Sequence, residues 1–164
     1  MSTRLLFNAA LAAIFSLVSG CGGLDVGEQI VVQDEYPALA AAFARLLEEQ
    51  GTANLGDVIV SSGVPVGEWD QMFSVSSPIS NESLNKKLGT RGVHLAGLNS
   101  DSESMTQVFL SGGKVVYAYE DKFPRYGVTR GHARPDSAVS PKSHVVKELA
   151  GERTAWYLEI EGFS

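Results

Sequence analysis

Cysteine is almost missing from this 164-residue chain: Cys21 stands alone, so no internal disulfide can staple the fold and no second thiol can help hold zinc. Histidine is scarce too. His94, His132 and His144 never fall three or four residues apart, the spacing that sets two ligands on one helix face, so neither a metal nor another cofactor is expected. Basic residues are outnumbered, 13 Lys and Arg against 19 Asp and Glu for a formal charge of −6, and they are scattered, which argues against a nucleic-acid partner. No G-x-S-x-G elbow marks a serine nucleophile, and Ser61-Ser62-Gly63 reads as a turn. Glu48-Glu49 and Glu120-Asp121 are adjacent pairs whose side chains point apart, the pattern of solvated faces and not of an acid/base couple. Gly112-Gly113-Lys114 lacks the flanking spacing of a phosphate loop. The sequence therefore names no catalytic residue.

What is present begins at the amino terminus. Arg4 is followed by an apolar run from Leu5 to Val18, broken only by Asn8 and Ser16, and ending in Val18-Ser19-Gly20-Cys21. A short cationic head before an apolar stretch is the pattern of a secretory signal. The run falls short of the roughly 20 residues that a bilayer-spanning helix needs. Its end resembles the lipobox of bacterial lipoproteins: an aliphatic residue, two small ones, then cysteine. That resemblance implies cleavage before Cys21, a diacylglyceryl group on its thiol, and acylation of the new terminus. Each buried methylene contributes about 0.8 kcal/mol, so two or three chains anchor durably where one is marginal. An ordinary signal peptide with a chance cysteine, or a buried apolar helix, is the plainer alternative. Gly22 is not the aspartate of an inner-membrane retention signal, so in a two-membrane cell the outer membrane is the expected address.

Removing residues 1–20 from the 164 leaves 144, one domain's worth, and moves the formal charge from −6 to −7 as Arg4 departs. Residues 21–35 read as the lipidated terminus and a Gly-rich acidic tether, with room for a strand over 29–33. Residues 36–164 read as one α+β domain. Pro37 opens a helix over 38–50, with Leu39, Phe43, Leu46 and Leu47 on one face and Gly51 as its stop. Residues 57–60 read as a strand or extended arm, and 69–75 as a strand carrying Trp69, Phe73 and Val75 on one side. Ser80 caps a second helix ending at Gly89. Residues 106–110 and 114–120 form a hairpin about Gly112-Gly113. The last strand, 154–161, puts Trp156, Leu158 and Ile160 inward. Residues 89–105 and 123–143 read as long loops. The expected architecture is an antiparallel sheet of about four strands packed on one face by two helices.

The segment Trp69-Asp70-x-Met72-Phe73-x-Val75-x-x-Pro78, then Leu84-Asn85-x-x-Leu88-Gly89, then Val108-Phe109-Leu110-x-Gly112-Gly113-Lys114-Val115-Val116, resembles a family of small uncharacterised bacterial lipoproteins. There a W-D strand, an L-G helix and a VFL-x-GGKVV hairpin follow the lipobox. The order also resembles small envelope domains of the outer-membrane assembly lipoprotein and β-lactamase-inhibitor-protein type. These are framework residues, and what they imply is an α+β fold without an imported activity.

Two surfaces are candidates for binding. Tyr117, Tyr119 and Tyr157 would form an aromatic patch on an uncovered sheet face, and Arg125, Arg130 and Arg134 gather around His132 in the second long loop. The expected function is a non-enzymatic, lipid-anchored envelope protein: a membrane partner through lipid on Cys21, and an envelope protein or component as ligand. A hydrolase using His132 or His144, and an inhibitor or immunity protein acting on a secreted enzyme, are the alternatives.

Overall fold

A computed structural model describes residues 27–98, 104–122, 124–126, 130–148 and 151–163. The signal stretch, the lipobox and Cys21 lie outside the described residues. The elements in chain order are β1 (Gln29–Val31), α1 (Pro37–Glu48), β2 (Ala53–Asn54), α2 (Leu55–Ser62), β3 (Gln71–Ser76), α3 (Asn81–Leu88), β4 (His94–Ala96), β5 (Met105–Ser111), β6 (Lys114–Asp121), β7 (Ala138–Glu148) and β8 (Gly151–Ile160). The α+β class is as expected. The single sheet is not: the strands form an antiparallel sheet β3-β5-β6, a second β2-β7-β8, and a parallel pair β1-β4. Among the described residues no helix is long and apolar enough to cross a membrane.

The sheet β3-β5-β6 is buried on both faces, because its strands are apolar at odd and even positions alike. Met72, Phe109 and Tyr119 face one core, shared with Leu39 and Phe43 of α1, Leu55 and Ile59 of α2, and Leu158 and Ile160 of β8. Phe73, Val75, Val108, Leu110 and Val115 face a second core, closed by Leu84 and Leu88 of α3 and by Ile30 and Leu95 of β1 and β4. A sheet covered on one side would alternate apolar with polar residues; here α3 and the β1-β4 pair supply the second cover. At the β5-β6 turn, Gly112 and Gly113 take φ of 56° and 79°, the pair of positive angles that a two-residue hairpin turn requires.

Local signals account for two helices. Pro37 opens α1, and Ser80 caps α3 by accepting from Ser83 N at 3.2 Å, so both begin where the sequence puts them. The stop of α1 differs in detail, since Gln50 and not Gly51 takes the left-handed angle, φ 51°, while Gly51 N donates to Leu46 O at 3.0 Å. Residues 57–60 are helical and not extended. Leu55, Val58 and Ile59 share one helix face and are buried, while Val60 is left 77% exposed; tertiary burial has overridden the strand preference of a β-branched run.

Three further expectations are corrected. Trp69 precedes β3, and its ring meets Phe109 edge-on at 5.2 Å, on the side opposite Phe73 and Val75, because regular alternation starts only at Gln71. The supposed loop 123–143 ends in strand: β7 takes in Pro141, which is tolerated because its partner Leu158 spends its own N–H on Arg125 O at 2.8 Å. That pairing needs no proline N–H. Trp156 shares the strand face of Leu158 and Ile160 but is 47% exposed, because β8 runs past the end of the core.

Gln50 carries the only left-handed angle at a non-glycine among the described residues, and an L side chain there costs about 1–2 kcal/mol. After the extra backbone entropy of glycine, Gln50→Gly should stabilise the protein by about 0.5–1 kcal/mol, read from the urea midpoint.

Candidate functional site

The segment 130–137, expected as an arginine-rich loop, is built into a cleft. Ala133 exchanges two backbone hydrogen bonds with Met72 at 2.8 and 2.9 Å, fixing it to the edge of β3. Arg134-Pro135-Asp136-Ser137 then forms a β-turn, with proline at its second position and Ser137 N donating to Arg134 O at 3.1 Å. The start of α2 holds this turn from outside: Gly56 N donates to Pro135 O at 2.8 Å, and Leu55 N to Ser137 O at 2.9 Å. Opposite lies the end of the chain, where Glu161 N donates to Ala138 O at 2.8 Å and Glu161 Oε2 accepts from Ala138 N at 3.2 Å. Gly131 and Gly162 let the two walls touch, since a Cβ on Gly131 would strike the Gly162 carbonyl and one on Gly162 would strike that of His132.

Between these walls is a cleft of about 430 Å³ lined by Gly131, His132, Arg134, Asp136, Ser137, Glu161 and Gly162. It gathers a histidine, two carboxylates and a serine, the residue types of a hydrolase. Their hydrogen bonding differs from a triad. Ser137 is buried and its Oγ accepts from Arg134 N at 2.9 Å, while the His132 ring lies against Phe73 with centroids 5.3 Å apart. Among the described residues no hydrogen bond or ion pair joins His132 to Ser137, Asp136 or Glu161. His144 is elsewhere, on β7 against Tyr157 at 5.6 Å. A second, more open cleft of about 740 Å³ shares Asp136 and is lined also by Asp57, Val60, Glu68, Trp69 and Asp70.

The second candidate surface is the outer half of the β7-β8 hairpin. Its strands pair from Val139–Ile160 out to Glu148–Gly151, whereas β2 pairs with β7 only at Ala138 and Val139. Beyond Leu158 the ribbon is therefore two-stranded. One face carries the core residues Val139, Leu158 and Ile160 and then, further out, Val145 and Trp156, exposed by 59% and 47%. Lys142–Glu159 and Lys147–Glu152, each at 3.6 Å, tie its strands together across solvent.

The tyrosine patch expected from sequence does not assemble. Tyr119 is buried and stacked on Phe109, Tyr117 is half-buried beside both, and only Tyr157 belongs to the ribbon. The arginines also separate. Arg125 borders a small pit with Glu35, Tyr36 and Asp121, Arg130 is exposed, and Arg134 lines the cleft. Asp136, Ser137 and Glu161 were missed as site residues; the Arg-Pro-Asp-Ser turn was their legible signal, but nothing local ties residue 161 to it.

Tyr126 locks this region to the core. Its hydroxyl donates to Asp121 Oδ2 at 2.6 Å, so Asp121, like Glu120, is buried against the core and not on the solvated face expected from sequence, and the Tyr126 ring meets Phe43 of α1 and Phe163 beside the cleft. Burial first, and then the neighbouring Tyr119 and Asp121, push Tyr126 well above the ordinary tyrosine range; burial first and Asp121 second do the same to Tyr119. Both hydroxyls stay neutral in the fold. The stability this gives is present below the usual tyrosine value near 10 and is lost as pH rises past it.

Alkaline titration followed by ultraviolet absorbance should therefore show that, of five tyrosines, Tyr119 and Tyr126 ionise only as the protein unfolds. Tyr126→Phe should remove one of these delayed ionisations and lower stability by about 1.5–3 kcal/mol, the range for a hydrogen bond to a charged group. Comparison of the chain with protein-family models, with curated proteins and with solved structures gives no match.

Proposed function

We propose that this chain is a lipid-anchored protein of the bacterial cell envelope, held by lipid on Cys21, whose domain binds an envelope protein through the outer half of the β7-β8 ribbon. The address is supported by the Arg4 head, the apolar run and the Val18-Ser19-Gly20-Cys21 ending. The binding role is carried by one observation. The face of β7 and β8 that builds the core continues past it, leaving Val145 and Trp156 in solvent.

A two-stranded ribbon is marginally stable in water by itself, and one presenting a tryptophan and a valine gains from being covered. Tryptophan is also the side chain most able to concentrate binding energy in one place. Beyond Leu158, whose N–H is spent on Arg125 O, no further strand pairs with the ribbon's edges among the described residues, so an extended segment of a partner can add there as a further strand beside Trp156. Binding is favoured over turnover because the Ser137 oxygen accepts from its own turn and His132 is packed on Phe73, an arrangement with no activated nucleophile.

A photo-crosslinking residue at Val145, in intact envelopes, should capture a protein partner, with Cys21→Ala as the unanchored control. In pull-downs Trp156→Ala should reduce partner recovery at least about tenfold, the usual cost of losing a central tryptophan. Equal capture by the Trp156 variant would reject the ribbon as the binding element. Labelled palmitate failing to enter the wild-type chain would reject the anchor.

A further inference from the structure

The cleft between residues 131–137 and 161–162 holds opposite charges that do not neutralise one another. Arg134 and His132 offer cationic or donor groups, and Asp136 and Glu161 offer carboxylates, all around one space of about 430 Å³. Among the described residues none of Arg134, Asp136 and Glu161 is in an ion pair within 4.0 Å. Here the turn and the chain end are each pinned by backbone hydrogen bonds, and Glu161 is further restrained by its bond from Ala138 N.

We infer that this cleft binds a small zwitterion of the α-amino-acid class, its carboxylate toward Arg134 and His132 and its ammonium toward Asp136 and Glu161. The volume lies within the range of small-molecule sites, roughly 300–1,000 Å³. Neither a simple anion nor a simple cation fits as well, because an anion would meet the two carboxylates and a cation would meet the Arg134 guanidinium. A planar guanidinium can hold a carboxylate through two parallel hydrogen bonds, which is why Arg134 is assigned that end. Ser137 is a positioning residue, because its hydroxyl holds the turn that presents Arg134 and Asp136. The walls meet at Gly131 and Gly162, so the backbone N–H groups of these residues report directly on occupancy. The inference is independent of the ribbon and of the lipid anchor.

The test is a titration of the purified full chain followed by NMR, with the amide signals of Gly131 and Gly162 and the ring signals of His132 as readouts. The probes are L-alanine, the dipeptide alanyl-alanine, acetate and methylammonium. A zwitterion should shift these signals saturably and bind at least about threefold more tightly than acetate or methylammonium, the gain from one additional exposed charge contact. The two zwitterions distinguish a free amino acid from a peptide by the charge separation that the cleft prefers. Arg134→Gln and Glu161→Gln should each weaken binding by a similar factor while leaving the thermal midpoint in place, since Gln at 161 can still accept from Ala138 N. No saturable shift with either zwitterion, or equal binding of acetate, would overturn the inference. Unchanged zwitterion binding in both variants would do so as well.

Discussion

Burial of the β3-β5-β6 sheet on both faces is the constraint on which the remaining architecture depends. Phe109 and Met72 on one side, and Val108, Leu110 and Phe73 on the other, cannot be shielded by a single layer. One cover is made by α1, α2 and the base of the β7-β8 hairpin, the other by α3 and the short parallel pair β1-β4. Each cover then positions a surface. The first sets the hairpin base against the sheet and leaves its outer half projecting, and it brings Leu55 and Gly56 of α2 against the turn that walls the cleft.

Features encoded by neighbouring residues could be read directly. Pro37, Ser80 and the Gly112-Gly113 pair act through their own backbone preferences, so α1, α3 and the β5-β6 hairpin stand where the sequence places them. Features decided by distant partners could not. Val58 to Val60 prefers extended structure locally, yet the core opposite Leu55 and Ile59 makes it helical. Pro141 speaks against a strand until Leu158 is found bonded to Arg125 on its other side. Alternation assigns Trp156 to the inner face correctly, but alternation carries no information about where the core ends.

The candidate sites follow the same division. Arg134 and His132 were conspicuous as part of an arginine-rich stretch, while Glu161 was only the last residue of the expected final strand, 154–161. Their meeting depends on two glycines, 131 and 162, that allow backbones remote in sequence to touch. The aromatic patch failed for a related reason. Tyr119 and Tyr157 look equivalent in a strand pattern, but one lies over Phe109 in the core and the other on a ribbon beyond it. Exposure at the ribbon and restraint at the cleft are thus different answers to one chain path: β7 and β8 leave the core in one direction and return the chain end to the cleft in the other.

On the proposed function, the outer ribbon is the surface this domain offers to a partner. Hydrogen–deuterium exchange tests it most directly, comparing the purified chain with the same chain in native envelopes. Amides of residues 143–147 and 152–157 should exchange rapidly in the purified protein and become protected in the envelope, while amides of β3 and β5 remain slow in both. Equal, rapid exchange of the ribbon in both settings would contradict the account.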